Sequence, residues 1–144
     1  MSEALTRMLA FILEQDTCVL ATSMGDLPHT SLMAYLPAQG GRLLYLLTSA
    51  QTHKFRNLSQ NPRLSLLIDN RSTAQGPARQ ALTVSGQAQI MGPSPRQEAL
   101  MERFAARHPD LAALSREPDA RVIQVTVESL LLVGPEQALF ERLT

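Results

Sequence analysis

The residues best equipped for chemistry stand within one short stretch: Thr48, Ser49, Thr52, His53, Lys54 and Arg56. They fall between the end of an apolar run and the start of a helical pattern. Hydroxyl donors, cations and the unpaired N–H groups of a helix start are the partners that a phosphate group needs. The dipole of a helix end contributes only about 0.3–1 kcal/mol, so the cation and the hydroxyls must supply most of the rest. Lys54 is the only lysine in the chain. The same pattern also has a plainer use, because hydroxyls at a helix start cap the helix. Taken alone, the stretch leaves both readings open.

Little else in the sequence competes with it. His29, His53 and His108 show no metal-ligand spacing, and the lone Cys18 pairs with neither a second cysteine nor a zinc pattern. Met33 and Tyr35 sit in a strand-like run, where such side chains commonly serve a core or an interface. Lys plus Arg and Asp plus Glu are 13 each, so no overall field favours nucleic acid or an anionic membrane. Any anion must be held by a local cluster. Apolar runs such as Leu43–Leu47 and Leu130–Val133 fall far short of the ~20 residues of a membrane span. The N-terminus carries Glu3 and Arg7 in an amphipathic pattern, unlike the basic-then-apolar order of a signal region. A reducing cytoplasm is the natural setting for this composition.

The elements that position the cluster follow from periodicity. Ser2 is a plausible cap for a helix whose stripe is Leu5, Met8, Leu9 and Ile12, ending near Gln15-Asp16. Thr17–Ser23 reads as a strand, Met24–Pro28 as a turn, and His29–Leu36 as a second strand. In that second strand Thr30, Leu32, Ala34 and Leu36 share one face, and His29, Ser31, Met33 and Tyr35 the other. After a turn at Gln39-Gly40-Gly41, Arg42–Thr48 is an apolar strand buried on both sides, and hairpin logic makes the three strands a meander. A short helix covers Gln51–Gln60, capped by Thr48, Ser49 or Thr52 and stopped by Asn61-Pro62. Arg63–Asp69 is a strand and Asn70–Gln80 an exposed loop. Ala81–Met91 alternates most clearly, with Leu82, Val84, Gly86, Ala88 and Ile90 against Thr83, Ser85, Gln87 and Gln89. Ser94-Pro95 opens a helix striped by Leu100, Met101, Phe104 and Ala105, broken at His108-Pro109. A short helix over Leu111–Ser115 precedes a last strand, Arg121–Val133, with Ile123, Val125 and Val127 inward.

Six strands with so few intervening helices cannot build a parallel βαβ sheet. The antiparallel alternative is a barrel, which also removes exposed edges. With 144 residues and no linker or repeat, residues 1–144 form a single α+β domain.

An ordered series of segments resembles the pyridoxamine 5′-phosphate oxidase-like family. They are Leu20-Ala21-Thr22, Gly25–Met33, Leu44–Ser49, Thr52–Leu58, Asn61–Leu67 and Leu82–Gly86, in order within a span of nearly half the chain. The resemblance implies a six-stranded antiparallel split β-barrel with flanking helices, working as a homodimer with FMN at the subunit interface. Some relatives bind haem or a deazaflavin instead. Carried over by position, Thr48, Ser49, Thr52, His53 and Lys54 would grip the FMN phosphate. His29, Thr30, Ser31, Leu32 and Met33 would line the ribityl chain and the isoalloxazine, largely through backbone groups. The partner subunit's strand near Ser85 and Gln87 would close the pocket.

Two departures narrow the resemblance. An arginine early in the oxidase's second strand clamps phosphate, whereas this chain reads His29-Thr30-Ser31. The oxidase's C-terminal Trp and Arg/His substrate residues have no counterpart in Gly134–Thr144. The resemblance therefore implies a flavoprotein oxidoreductase acting on another small molecule, with pyridoxamine phosphate oxidation set aside. A non-catalytic FMN or haem carrier of the same fold is the alternative. No catalytic acid or base is identifiable; His29 is the best placed only because its face is that of the implied pocket.

Overall fold

Ser2 accepts a hydrogen bond from Leu5 N and starts α1 (Glu3–Glu14), whose Met8, Leu9, Phe11 and Ile12 are buried. The computed structural model describes residues 1–143. Strands β1 (Thr17–Met24) and β2 (Leu27–Ala34) form a hairpin whose turn places Gly25 and Asp26 at positive φ. Strand β3 (Leu36–Ala38) and a 3₁₀ turn at Gln39–Gly41 lead into β4 (Leu43–Ser49), α2 (His53–Gln60) and β5 (Arg63–Asp69). Then come β6 (Ala81–Ile90), α3 (Pro95–Arg107), α4 (Ala112–Ser115), β7 (Ala120–Val133) and β8 (Ala138–Arg142). No helix among the described residues is long and apolar enough to cross a membrane.

All strand pairs are antiparallel, in the order β2-β1-β5-β6-β7-β4-β3, with β8 also on β7. This curled sheet with flanking helices is the split barrel. The six expected strands are present, with β3 and β8 as short additions. The meander is corrected. Strand β4 pairs with β7 and β3, and the chain passes from one end of the sheet to the other through Tyr35 alone. Tyr35 is fully buried; its hydroxyl donates to the Ile12 carbonyl at 2.6 Å and its N–H to Asp16 O at 3.0 Å. Those bonds draw the chain inward beneath α1, so it cannot reverse as a hairpin. Burial, with Cys18 and Asp16 nearby, pushes the phenol far above its ordinary pKa, which keeps it a donor.

Inside the curl lie Leu20, Met33, Leu44, Leu46, Leu66, Val84, Ile123 and Val125, closed at one end by α1. The opposite face of β4 and β7 packs Tyr45, Leu47 and Val122 against Leu100 and Phe104 of α3, a second core. Gln97 ties α3 there by accepting from Val122 N at 2.9 Å.

A bulge resets β7. The register passes from Gly86 opposite Val127 to Ser85 opposite Ser129, leaving Glu128 unpaired. Val127 and Leu130 therefore both reach the core, and Leu131 and Val133 turn outward. Gly86 permits the close approach this requires: a Cβ there would lie 2.2 Å from the Thr126 carbonyl oxygen.

Candidate functional site

Helix α2 begins where β4 ends, and Thr52 is its cap. The Thr52 hydroxyl donates to Ser49 O at 2.9 Å and accepts from Phe55 N at 3.3 Å. It has one proton, already given to Ser49, so in the 3.0 Å contact with Thr48 the buried Thr48 hydroxyl is the donor. Thr52 is thus committed within the chain. The plainer capping role and an anion role coexist here, because other donors stay free. Ser49 Oγ accepts from Gln51 N at 3.1 Å and keeps its own proton. Among the described residues, the N–H groups of His53 and Lys54 have no partner and the Lys54 ammonium makes no ion pair or hydrogen bond.

The charged side chains of α2 are all basic. Helix α2 carries His53, Lys54 and Arg56 and has no acidic residue. It packs mainly on β1, β2 and β6, whose only ionisable side chains are Cys18 and His29. Cations thus gather at the positive end of a helix dipole with no acid on α2, β1, β2 or β6, and one carboxylate stands just before the cap, where Asp119 accepts from Gln51 Nε2 at 3.1 Å. Burial pulls the Lys54 ammonium below its ordinary pKa.

The predicted residues divide between the two faces of β2, an edge strand. His29, opposite Thr22 on the inner face, brings its ring to 4.3 Å from that of His53, tilted by 32°. Its Nδ1 is buried without a hydrogen-bond partner. Ser31 shares that face and is half-buried, while Met33 lies within the core. Thr30 and Leu32 point outward, Leu32 being 76% exposed. Gln87 lies on the outer face of β6, three strands from β2, where its amide donates to Glu128 at 3.3 Å. Within one chain it does not reach the α2 corner. The corner itself was legible because its residues are contiguous; the meeting of His29 with His53 across separate elements carried no sequence signal.

The sequence reading also missed an outer-face cleft of about 370 Å³ beside the bulge, between Pro28, Arg63 and Glu128. Its floor is one cross-strand row of small residues, Ala21, Ser65 and Ser85. Such a row is visible only once strand register is known.

Comparison with known proteins places the fold. The chain superposes on a haem-binding protein from Mycobacterium smegmatis with a TM-score of 0.83 at 20% identity, covering 99% of this chain and 59% of that longer one. It matches General Stress Protein 26 from Bacillus anthracis with a TM-score of 0.74 and 23% identity, over 96% and 98% of the two chains. For HutZ, the haem storage protein from Vibrio cholerae, the TM-score is 0.71 at 23% identity, over 87% and 89%. At these identities the likeness is one of fold. No curated protein matches the sequence. The family model for pyridoxamine 5′-phosphate oxidase matches residues 5–134, nearly the whole length, and the chain belongs to that family.

Proposed function

We propose that this protein is an FMN-binding oxidoreductase of the split-barrel type, working as a homodimer on a small molecule. The observation that carries the reading is α2 itself, which bears His53, Lys54 and Arg56 and no acid, and whose first two N–H groups lack partners. A phosphate monoester fits that donor set: it is dianionic near neutral pH and accepts several hydrogen bonds at once. Ser49, Lys54 and the N–H groups of His53 and Lys54 would hold it, with Thr48 supporting the Thr52 cap. The unpaired edge of β2 offers backbone groups to the rest of the cofactor, and Leu32 an apolar contact. FMN supplies hydride or electron exchange with a small donor or acceptor. Gln87 would serve the partner's pocket, since it is remote from its own chain's corner. The lone buried thiol suits a reducing cytoplasm.

A second reading, a haem carrier of the same fold, is favoured by the likeness to the haem-binding and haem-storage proteins. One absorption spectrum of the purified protein separates the two. Flavin bands, with quenching of added FMN fluorescence, support the first reading; a Soret band moves the assignment to haem. Colourless protein that ignores added FMN rejects the flavin. Turnover of bound flavin with a reduced nicotinamide then distinguishes an oxidoreductase from a carrier.

A further inference from the structure

We infer that His29 and His53 act together as a proton-linked clamp on the phosphate, so that affinity for a phosphorylated cofactor falls as pH rises. The inference rests on the FMN reading and adds a regulation of the same site. Its observations are the 4.3 Å approach of the two rings and the buried, unpartnered Nδ1 of His29.

The surroundings of the pair give the argument its direction. On α2 its charged neighbours are Lys54 and Arg56, both cationic. Strand β1 contributes only the Cys18 thiol, β2 nothing ionisable besides His29, and β6 nothing at all. Asp26, exposed in the turn before β2, forms no ion pair with either ring among the described residues. Asp119, which accepts from Gln51 Nε2 at 3.1 Å just before the cap, forms no ion pair with either ring among the described residues, so a proton on an imidazole here has no paired anion. A phosphate dianion provides that missing charge. Each event favours the other, and by linkage the ligand must bind more tightly where the proton is available. Histidine is the side chain suited to this coupling near neutral pH.

The sign of the effect makes it testable. A phosphate monoester gains its second charge near about pH 6, so on that ground alone FMN should bind more tightly as pH rises. The clamp predicts the reverse. Fluorescence titrations with FMN and with riboflavin, at about pH 6 and about pH 8, should show FMN affinity falling about five- to tenfold across the interval, with riboflavin unchanged. His53→Asn alters an exposed residue and keeps the fold; it should remove the slope, as should His29→Asn, with folding checked by circular dichroism. Affinity that stays flat or strengthens at the higher pH overturns the clamp while leaving the FMN site intact. A slope that survives both Asn variants also overturns it. Absence of FMN binding at both pH values overturns the clamp and the cofactor reading together.

Discussion

The Asn57 amide donates to the Thr22 hydroxyl at 3.1 Å, and both side chains are almost wholly out of solvent. This bond pins the middle of α2 to β1, and a second amide, Asn61, reaches Ser23 O and Oγ at 3.2 Å. The helix is therefore fixed by polar ties at its centre and C-terminal end while its first turn stays free of carboxylates. Removing one member of the buried pair strands the other. Asn57→Leu or Thr22→Val should each destabilise the fold by about 1–3 kcal/mol. The double variant should recover part of the loss, because no buried polar group is left unpaired. A double-mutant cycle in urea checks this; strictly additive losses would show that the two side chains do not depend on one another.

Lys54 should show opposite signs in stability and in binding. Burial lowers its pKa, so in the empty protein the ammonium is less comfortable folded than unfolded. That penalty is present at neutral pH and is relieved as pH rises through the lowered value toward the ordinary one, about 10.4. Lys54→Met keeps the apolar stem and removes the charge. The empty variant should melt at an equal or higher temperature than wild type. Its affinity for FMN should fall by about 1.5–3 kcal/mol, the scale of a hydrogen bond to a charged group, with riboflavin binding little changed. Unaltered FMN affinity in a titration would remove Lys54 from the site.

What could be read from the sequence was what is local. Ala81–Met91 gave its strand because one face is apolar and the other polar, and β6 spans Ala81–Ile90 as that alternation requires. Thr52 through Arg56 gave the site's corner because a helix start is encoded by neighbouring residues. The pairing of β4 with β7 was hidden, since it depends on Tyr35 bonding to Ile12 rather than on any turn signal. Strand β8 was missed because Ala138–Arg142 has no fully buried face and owes its form to pairing with β7. The bulge at Glu128 was equally invisible: alternation fixes which residues share a face but not where one extra residue reverses the faces.

Cys18 should behave as an inert core thiol. It lies 2% exposed within the barrel, and burial pushes its pKa from 9.0 up to about 12. Because the folded value is the higher one, the stabilisation is intact below 9.0 and drains away as pH climbs toward about 12. Alkylation at mildly alkaline pH should therefore be negligible in native protein and complete in urea. Rapid labelling of the native form would mean that the sheet opens at β1.

The outer face of the sheet should bind a second copy of the chain. Strand register sets Leu32, Val19, Leu67, Thr83, Leu131 and Phe140 side by side across six strands, from β2 to β8. Leu32 is 76% exposed, Leu67 41% and Phe140 57%. A row of this length, apolar except for Thr83, is uncommon on a monomer and marks an interaction surface. It runs beside the row of small residues that floors the outer cleft, and Gln87, remote from its own α2 corner, stands on the same face. A twofold partner laid on that face would cover the row and bring its own Gln87 toward this chain's β2 edge. Leu32→Arg should then shift the protein from dimer to monomer by light scattering at micromolar concentration, with its circular dichroism unchanged. It should also weaken FMN binding, since half the pocket leaves with the partner. Wild-type protein that scatters as a monomer would remove this interface, and with it the role of Gln87.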